Sequence, residues 1–218
     1  MTDAEQVSRA LARTLATCAV RQVWAEQDEG PYHRGAQPFR RDVVEDREGV
    51  ALQLGIRLAT DDDMPLKNAT VEIWQCDALG RYSGFPPPNS SGGVTAEGAP
   101  GVQYVADQSF LRGRQKSDAA GMVEFRTIYP GWYPGRTVHI HVMVHVDEIM
   151  FTSQLYFPDE VSEHVLSLMP YAERPGRDTT NGSDEIFPTG GDPAVLDTSP
   201  DGAVAAICLV LLSAGQTS

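Results

Sequence analysis

Apolar residues recur at every second position in several short stretches of this chain, and a period of two marks a half-buried strand. Over residues 50–59, Leu52, Leu54, Ile56 and Leu58 alternate with Gln53, Gly55 and Arg57. Residues 69–76 and 122–128 alternate in the same way, residues 137–144 interleave β-branched residues with histidines, and residues 150–157 read as a further strand. Turn-forming groups separate these stretches, among them Asp77-Ala78-Leu79-Gly80, Ser117-Asp118-Ala119-Ala120-Gly121 and Pro130-Gly131-Trp132-Tyr133-Pro134-Gly135. Helical spacing occurs at residues 3–20, where Val7, Ala10, Leu11, Thr14, Leu15 and Cys18 share a face, and in a short segment at 159–168. The longest apolar run, residues 203–212, is too short to cross a bilayer and reads as a buried strand. With several strands, one opening helix and no βα repeat, the expected fold is mainly β, an antiparallel β-sandwich with long loops. Residues 1–27 then form a helical extension and residues 28–218 the sandwich domain.

Composition narrows the partners. A chain of 218 residues with 41% hydrophobic content can bury a sizeable core. Its net charge of -13 argues against binding nucleic acid or an anionic membrane, which both need a basic surface. Cys18, Cys76 and Cys208 are widely spaced and form no Cys-x-x-Cys pair, so no zinc ribbon or redox motif is expected, and no disulfide inside a cell. Arg9, Arg13 and Arg21 interrupt the first two dozen residues, so neither a secretory signal nor an anchor is visible and a cytoplasmic location is expected. The opening helix needs a surface to lie on, either the domain itself or a second subunit, which leaves a homo-oligomer open. Residues 84–108, rich in Gly, Pro and Ser, read as a surface or active-site loop.

Candidate chemistry concentrates in residues 129–145, YPGWYPGRTVHIHVMVH. On a strand His139 and His141 project from one side and Ile140 from the other, so two imidazoles can share a metal. His145 has the same parity but is not counted among the expected ligands. Tyr133 sits on a Pro/Gly turn just ahead, a plausible third ligand, and Arg136 places a fixed positive charge beside it. Taken alone, the His-x-His pair fits either a metal site or a satisfied core histidine with an incidental neighbour, and Tyr82 fits a surface turn.

Four separated motifs occur in a fixed order: Glu29-Gly30-Pro31-Tyr32; Val71-Glu72-Ile73-Trp74-Gln75-Cys76-Asp77 running to Gly80-Arg81-Tyr82-Ser83; Phe110-Leu111-Arg112-Gly113; and Tyr133 to His141. This order resembles the intradiol aromatic-ring-cleaving dioxygenases, above all their small single-domain branch, over about residues 28–187. The resemblance implies a non-haem ferric ion, Fe(III), held by Tyr82, Tyr133, His139 and His141, with no organic cofactor. It also implies that Arg136 faces the substrate ring with Gln154 beside it, that Tyr133 can leave the metal and carry a proton, and that Gly30, Pro31 and Tyr32 line the pocket. The partners so implied are O2 and a catechol-type diol, cleaved to a cis,cis-muconate-type diacid. The short approach Gly135-Arg136-Thr137-Val138 departs from larger members, so no preference among protocatechuate, catechol and hydroxyquinol carries over. Two rivals stand beside this reading: a non-catalytic transthyretin-like binding sandwich, suited to residues 118–133, and a zinc hydrolase using His139, His141 and a carboxylate.

Overall fold

The computed structural model of the chain describes residues 22–23, 25–35, 37–86, 107–187, 194–198 and 204–211. The helix expected at 3–20 and most of the 84–108 loop lie outside these residues. In chain order the strands are β1 (Gln22–Val23), β2 (Ala51–Thr60), β3 (Thr70–Trp74), β4 (Arg112–Lys116), β5 (Met122–Ile128), β6 (His139–Val146) and β7 (Ile149–Tyr156). After helix α1 (Asp159–Leu166) come β8 (Ala194–Val195), β9 (Asp197–Thr198) and β10 (Val204–Leu211). They build two five-stranded sheets: β1-β10-β2-β5 with β9 on β10, and β4-β3-β6-β7-β8.

The antiparallel character read from the sequence holds for β2/β5, β3/β4, β3/β6 and β6/β7. Parallel pairs occur at β1/β10, β10/β2 and β7/β8, where long connections give the chain room to return in the same direction. β4 (RGRQK) ends its sheet, with its outer side bonded to residues 38–40 through Arg114 N–H to the Pro38 carbonyl at 2.9 Å and Arg40 N–H to the Arg114 carbonyl at 3.1 Å; its buried Arg112 and Gly113 leave it no apolar alternation. Residues 147–148 make the two-residue turn of the β6–β7 hairpin, and Asp147 takes a left-handed φ of 54°, which a short polar side chain tolerates. None of the helices among the described residues is long and apolar enough to cross a membrane.

The core forms where the two sheets face each other. Leu52, Leu54, Ile56 and Leu58 of β2 and Phe125 of β5 meet Val71 and Ile73 of β3, Ile140, Val142 and Val144 of β6 and Leu155 of β7 in one buried cluster. Each such side chain contributes about 1.5–3 kcal/mol by leaving water. α1 adds Val161 and Val165 to the same cluster, and Asp159 and Glu160 in its first turn suit the positive end of the helix dipole.

A strand period of two sends the intervening residues to the opposite face of the second sheet: Trp74, His139, His141, Met143, Gln154 and Tyr156. That face is covered rather than solvated. Tyr32, Trp74, Cys76, Tyr82, Tyr133 and Met143, with Phe85 packed on, form a second buried cluster there. The chain entering the domain is tied to the same sheet, since Gln27 N–H donates to the Thr152 carbonyl at 2.9 Å. The candidate site lies inside this second, aromatic layer.

Candidate metal centre

Backbone contacts bring the two phenols together. Asp77 folds the turn leading to Tyr82, its Oδ1 accepting Leu79 N–H at 2.9 Å and Arg81 N–H at 3.0 Å. The Asp77 carbonyl accepts Gly131 N–H at 3.1 Å, joining this turn to the one that carries Tyr133. A Cβ on Gly131 would lie 2.4 Å from the Ala78 carbonyl oxygen, so only glycine permits that approach. The imidazoles arrive from β6. Register sets His141 beside Trp74 on β3 and Gln154 on β7, and His139 beside Tyr156.

Four donor atoms converge. His139 Nε2 lies 3.0 Å from His141 Nε2, 3.2 Å from Tyr133 Oη and 3.5 Å from Tyr82 Oη. His139 Nδ1 is 2.7 Å from the Thr137 carbonyl, which can only accept, so Nδ1 carries the proton and the neutral ring turns the Nε2 lone pair toward the cluster. Separations of 3.0–3.5 Å are those of atoms sharing one ion at bond lengths of about 2.0–2.2 Å. The donor set suits an oxidised hard cation, because two phenols can become anionic ligands and two imidazoles stay neutral. The residues present therefore fit a ferric ion.

Burial governs the protonation of all four groups. It pushes the Tyr82 phenol well above its ordinary range and the Tyr133 phenol up to about 12, with Arg136 partly opposing the rise at Tyr133. It holds His139 and His141 well below the usual histidine range, reinforced by Arg136 at His139 and by His139 itself at His141. Without a cation the cluster is thus uncharged. Its positive neighbour is Arg136, whose Nε donates to Asp184 Oδ2 at 2.9 Å and whose Nη2 donates to Gln154 Oε1. Gln154 is held in turn by its own donation to the Asp28 carbonyl at 3.1 Å, beside Tyr156 Oη, whose O–H donates to Gln27 Oε1 at 2.8 Å. Burial raises the Asp184 carboxyl, but Arg136 and three backbone N–H groups outweigh it and leave the group below the usual carboxylate range.

Aromatic rings wall the cluster. Tyr32 is fully buried and stacks on Tyr82 with centroids 4.2 Å apart and planes at 4°. Trp74 stacks on His141 at 4.9 Å. Gly30, at φ +70°, approaches so closely that a Cβ there would lie 3.3 Å from His141 Cε1, whereas Pro31 faces solvent. Arg112, 1% exposed, donates from Nε to Ser83 Oγ at 2.8 Å and lies over the Tyr82 and Phe85 rings.

The Tyr129 phenol and the His145 imidazole, both within residues 129–145, lie elsewhere. Tyr129 belongs to the inter-sheet core, its Oη 2.9 Å from Ser162 Oγ, and His145 pairs with Glu72 at 3.3 Å. Among the described residues no group of three His, Cys, Asp or Glu side chains is placed to hold a metal, which deprives the zinc-hydrolase reading of its carboxylate. Sequence reasoning overlooked Asp184, Trp74 and Tyr156. Strand parity could have placed Trp74 and Tyr156 on the histidine face, but Asp184 sits in an aperiodic connection and carries no local signal.

A buried phenol and imidazole cluster on the outer face of a β-sandwich belongs to a known class. A family model described as Dioxygenase matches residues 25–175, and the chain is a member of that family, on its intradiol ring-cleavage side. The beta chain of protocatechuate 3,4-dioxygenase from Burkholderia cepacia is 29% identical over 150 residues, which cover 63% of this chain and 57% of that relative. The matched part thus spans little more than half the length of the curated relative. An intradiol ring-cleavage dioxygenase from Tetranychus urticae superposes with a TM-score of 0.76 at 29% identity, covering 90% of this chain and 98% of the other. The dioxygenase domain of a carbohydrate-binding fusion from Streptomyces sp. SirexAA-E gives a TM-score of 0.60 at 25% identity over 88% of this chain and 100% of that one.

Proposed function

We propose that this protein cleaves a catechol-type aromatic diol with O2 between its two hydroxylated carbons, giving a cis,cis-muconate-type diacid. The observation that carries this reading is the convergence of Tyr82, Tyr133 and His141 on His139 Nε2 within 3.5 Å, with no carboxylate among the described residues joining them. These four residues would hold a non-haem ferric ion. Bound there, Fe(III) supplies Lewis acidity toward the two diol oxygens and draws electron density from the ring, making it reactive toward O2.

The chain's own groups do the rest. Burial keeps both phenols protonated, so Tyr82 and Tyr133 would each give up one proton on holding the cation and would become its two anionic ligands. The family resemblance, rather than any difference in the two turns, gives Tyr133 the part of the phenol that can leave the metal; its Oη, 3.2 Å from His139 Nε2, would then take a proton from the diol. His139 and His141 are fixed within a strand, and the Thr137 carbonyl keeps His139 in the tautomer that presents Nε2. Arg136 supplies a permanent positive charge for the negative charge that builds on the diolate and ring, a role suited to a guanidinium that does not deprotonate. Tyr32, Trp74 and Phe85 exclude water around the cluster, which strengthens these electrostatic terms.

The test is direct. Protein reconstituted with ferric iron should turn red-burgundy through tyrosinate charge transfer and consume O2 with at least one member of a panel of substituted catechols, yielding a ring-opened diacid by mass spectrometry. Colourless protein after faithful reconstitution, with no O2 uptake, would defeat the assignment. A purely binding sandwich or a zinc enzyme gives that colourless result.

A further inference from the structure

We propose that Asp184 is a positioning residue of this site, orienting the Arg136 guanidinium toward the substrate and steadying His139 through Thr137. This inference rests on the function proposed above and deepens it. Asp184 lies outside every motif that pointed to the site, yet its carboxylate is fully buried and fully used. Oδ2 accepts Arg136 Nε–H at 2.9 Å and Thr137 N–H at 2.7 Å, while Oδ1 accepts Ile186 N–H at 2.8 Å and Phe187 N–H at 2.9 Å. A carboxylate offers about four acceptor positions, so four donors leave it no freedom to turn.

Two consequences follow from this geometry. The guanidinium is gripped at Nε by Asp184 and at Nη2 by Gln154, which leaves Nη1 as the edge bonded to no described residue. Thr137 is pinned at its N–H by Asp184 and at its Oγ1 by Asn181 at 2.7 Å, and its carbonyl is the group that fixes the His139 ring. One buried anion thereby serves both the charge that faces the substrate and a ligand. Supporting partners of this kind set ligand and donor orientation, and their loss typically costs activity about 10- to 100-fold.

The inference is tested on the ferric holoenzyme. Asp184→Asn keeps the shape of the side chain and removes its charge and one acceptor. Its kcat should fall about 10- to 100-fold while KM, iron content and the visible charge-transfer band stay near wild type. In an Arg136→Lys background the same change should add less than about threefold, because most of its effect passes through the guanidinium and only the remainder through Thr137 to His139. Asp184→Glu keeps the charge but shifts it by one methylene; it should lose about tenfold in kcat with iron retained, and it decides the matter if the asparagine variant does not fold. Wild-type kcat in a folded Asp184 variant overturns the role, as does an equal loss with and without Arg136. Loss of iron and fold together in both variants overturns it too, since that is the behaviour of a structural brace. Failure of the functional reading looks different: there the wild-type protein itself neither colours nor consumes O2.

Discussion

His139 and His145 occupy one strand and project from one face of it, yet one is 2% exposed among phenols and imidazole while the other sits half-open beside a carboxylate. The difference lies in what covers the strand at each end. Over His139 the turns carrying Tyr82 and Tyr133, with Tyr32 stacked behind, form a dry aromatic lining that holds the ring neutral and its lone pair available. Toward the β6–β7 turn that lining gives way to charged groups, a buried Glu72 carboxylate with His145 at 3.3 Å and Arg114 at 3.9 Å. Strand parity decides which face a histidine meets, and the loops folded over that face decide what it can do there.

The largest effect expected from this contrast is at the buried end. His139→Ala removes the atom on which the other three donors converge, and Tyr133→Phe removes one of the two phenol oxygens proposed as anionic ligands. Each should cut kcat at least about 100-fold with parallel loss of iron, since even supporting partners of a metal ligand cost 10- to 100-fold. Metal analysis beside O2 uptake checks this, and bound iron with full turnover in both variants would show that the cluster is not the metal centre.

Arg136→Lys comes next. Lysine keeps the charge but not the planar fork that reaches Asp184 and Gln154 together, so kcat should fall about 10- to 100-fold with the charge-transfer band retained. A fall in iron content equal to the fall in kcat would instead make Arg136 a support for the ligands.

These two effects also mark where the sequence was legible. Alternation in β2, β3, β5 and β7 gave the strands, because each buries one face against the opposite sheet. Strand parity and the turn ahead of it made His139, His141 and Tyr133 candidates from the sequence, since a turn and a strand adjacent in sequence are adjacent in space, and the ordered motifs selected them. Tyr82 was found only through the ordered motifs, for what joins it to Tyr133 is a backbone contact between Asp77 and Gly131 that no periodicity records. Asp184 was invisible for a related reason: the connection after α1 folds back on β6 through polar bonds, and such bonds leave no hydrophobic pattern. β4 escaped because an edge strand of charged residues looks like a loop.

A smaller effect is expected at Gly30, on the boundary of the dry lining. Its φ of +70° makes any side chain strained by about 1–2 kcal/mol, and a Cβ would press within 3.3 Å of the His141 ring. Gly30→Ala should therefore keep its iron and lose several-fold in kcat, with a shifted charge-transfer band as the ring is displaced. An unshifted band with unchanged kcat would mean that the 30–32 turn does not constrain the ligand.

The smallest effect belongs to His145. Its side chain is 36% exposed, and the buried Glu72 carboxylate that it meets at 3.3 Å also has Arg114 and His33 within 3.9 Å, so His145 is one of several partners of a group outside the four-donor cluster. His145→Ala should leave iron content and kcat within about twofold of wild type, because the residue lies outside the four-donor cluster. The measurement is informative because parity alone makes His145 equivalent to His141. If its loss removed iron, the site would have to extend along the strand to the ion-paired end, and the aromatic lining could no longer be what separates a ligand from a surface histidine.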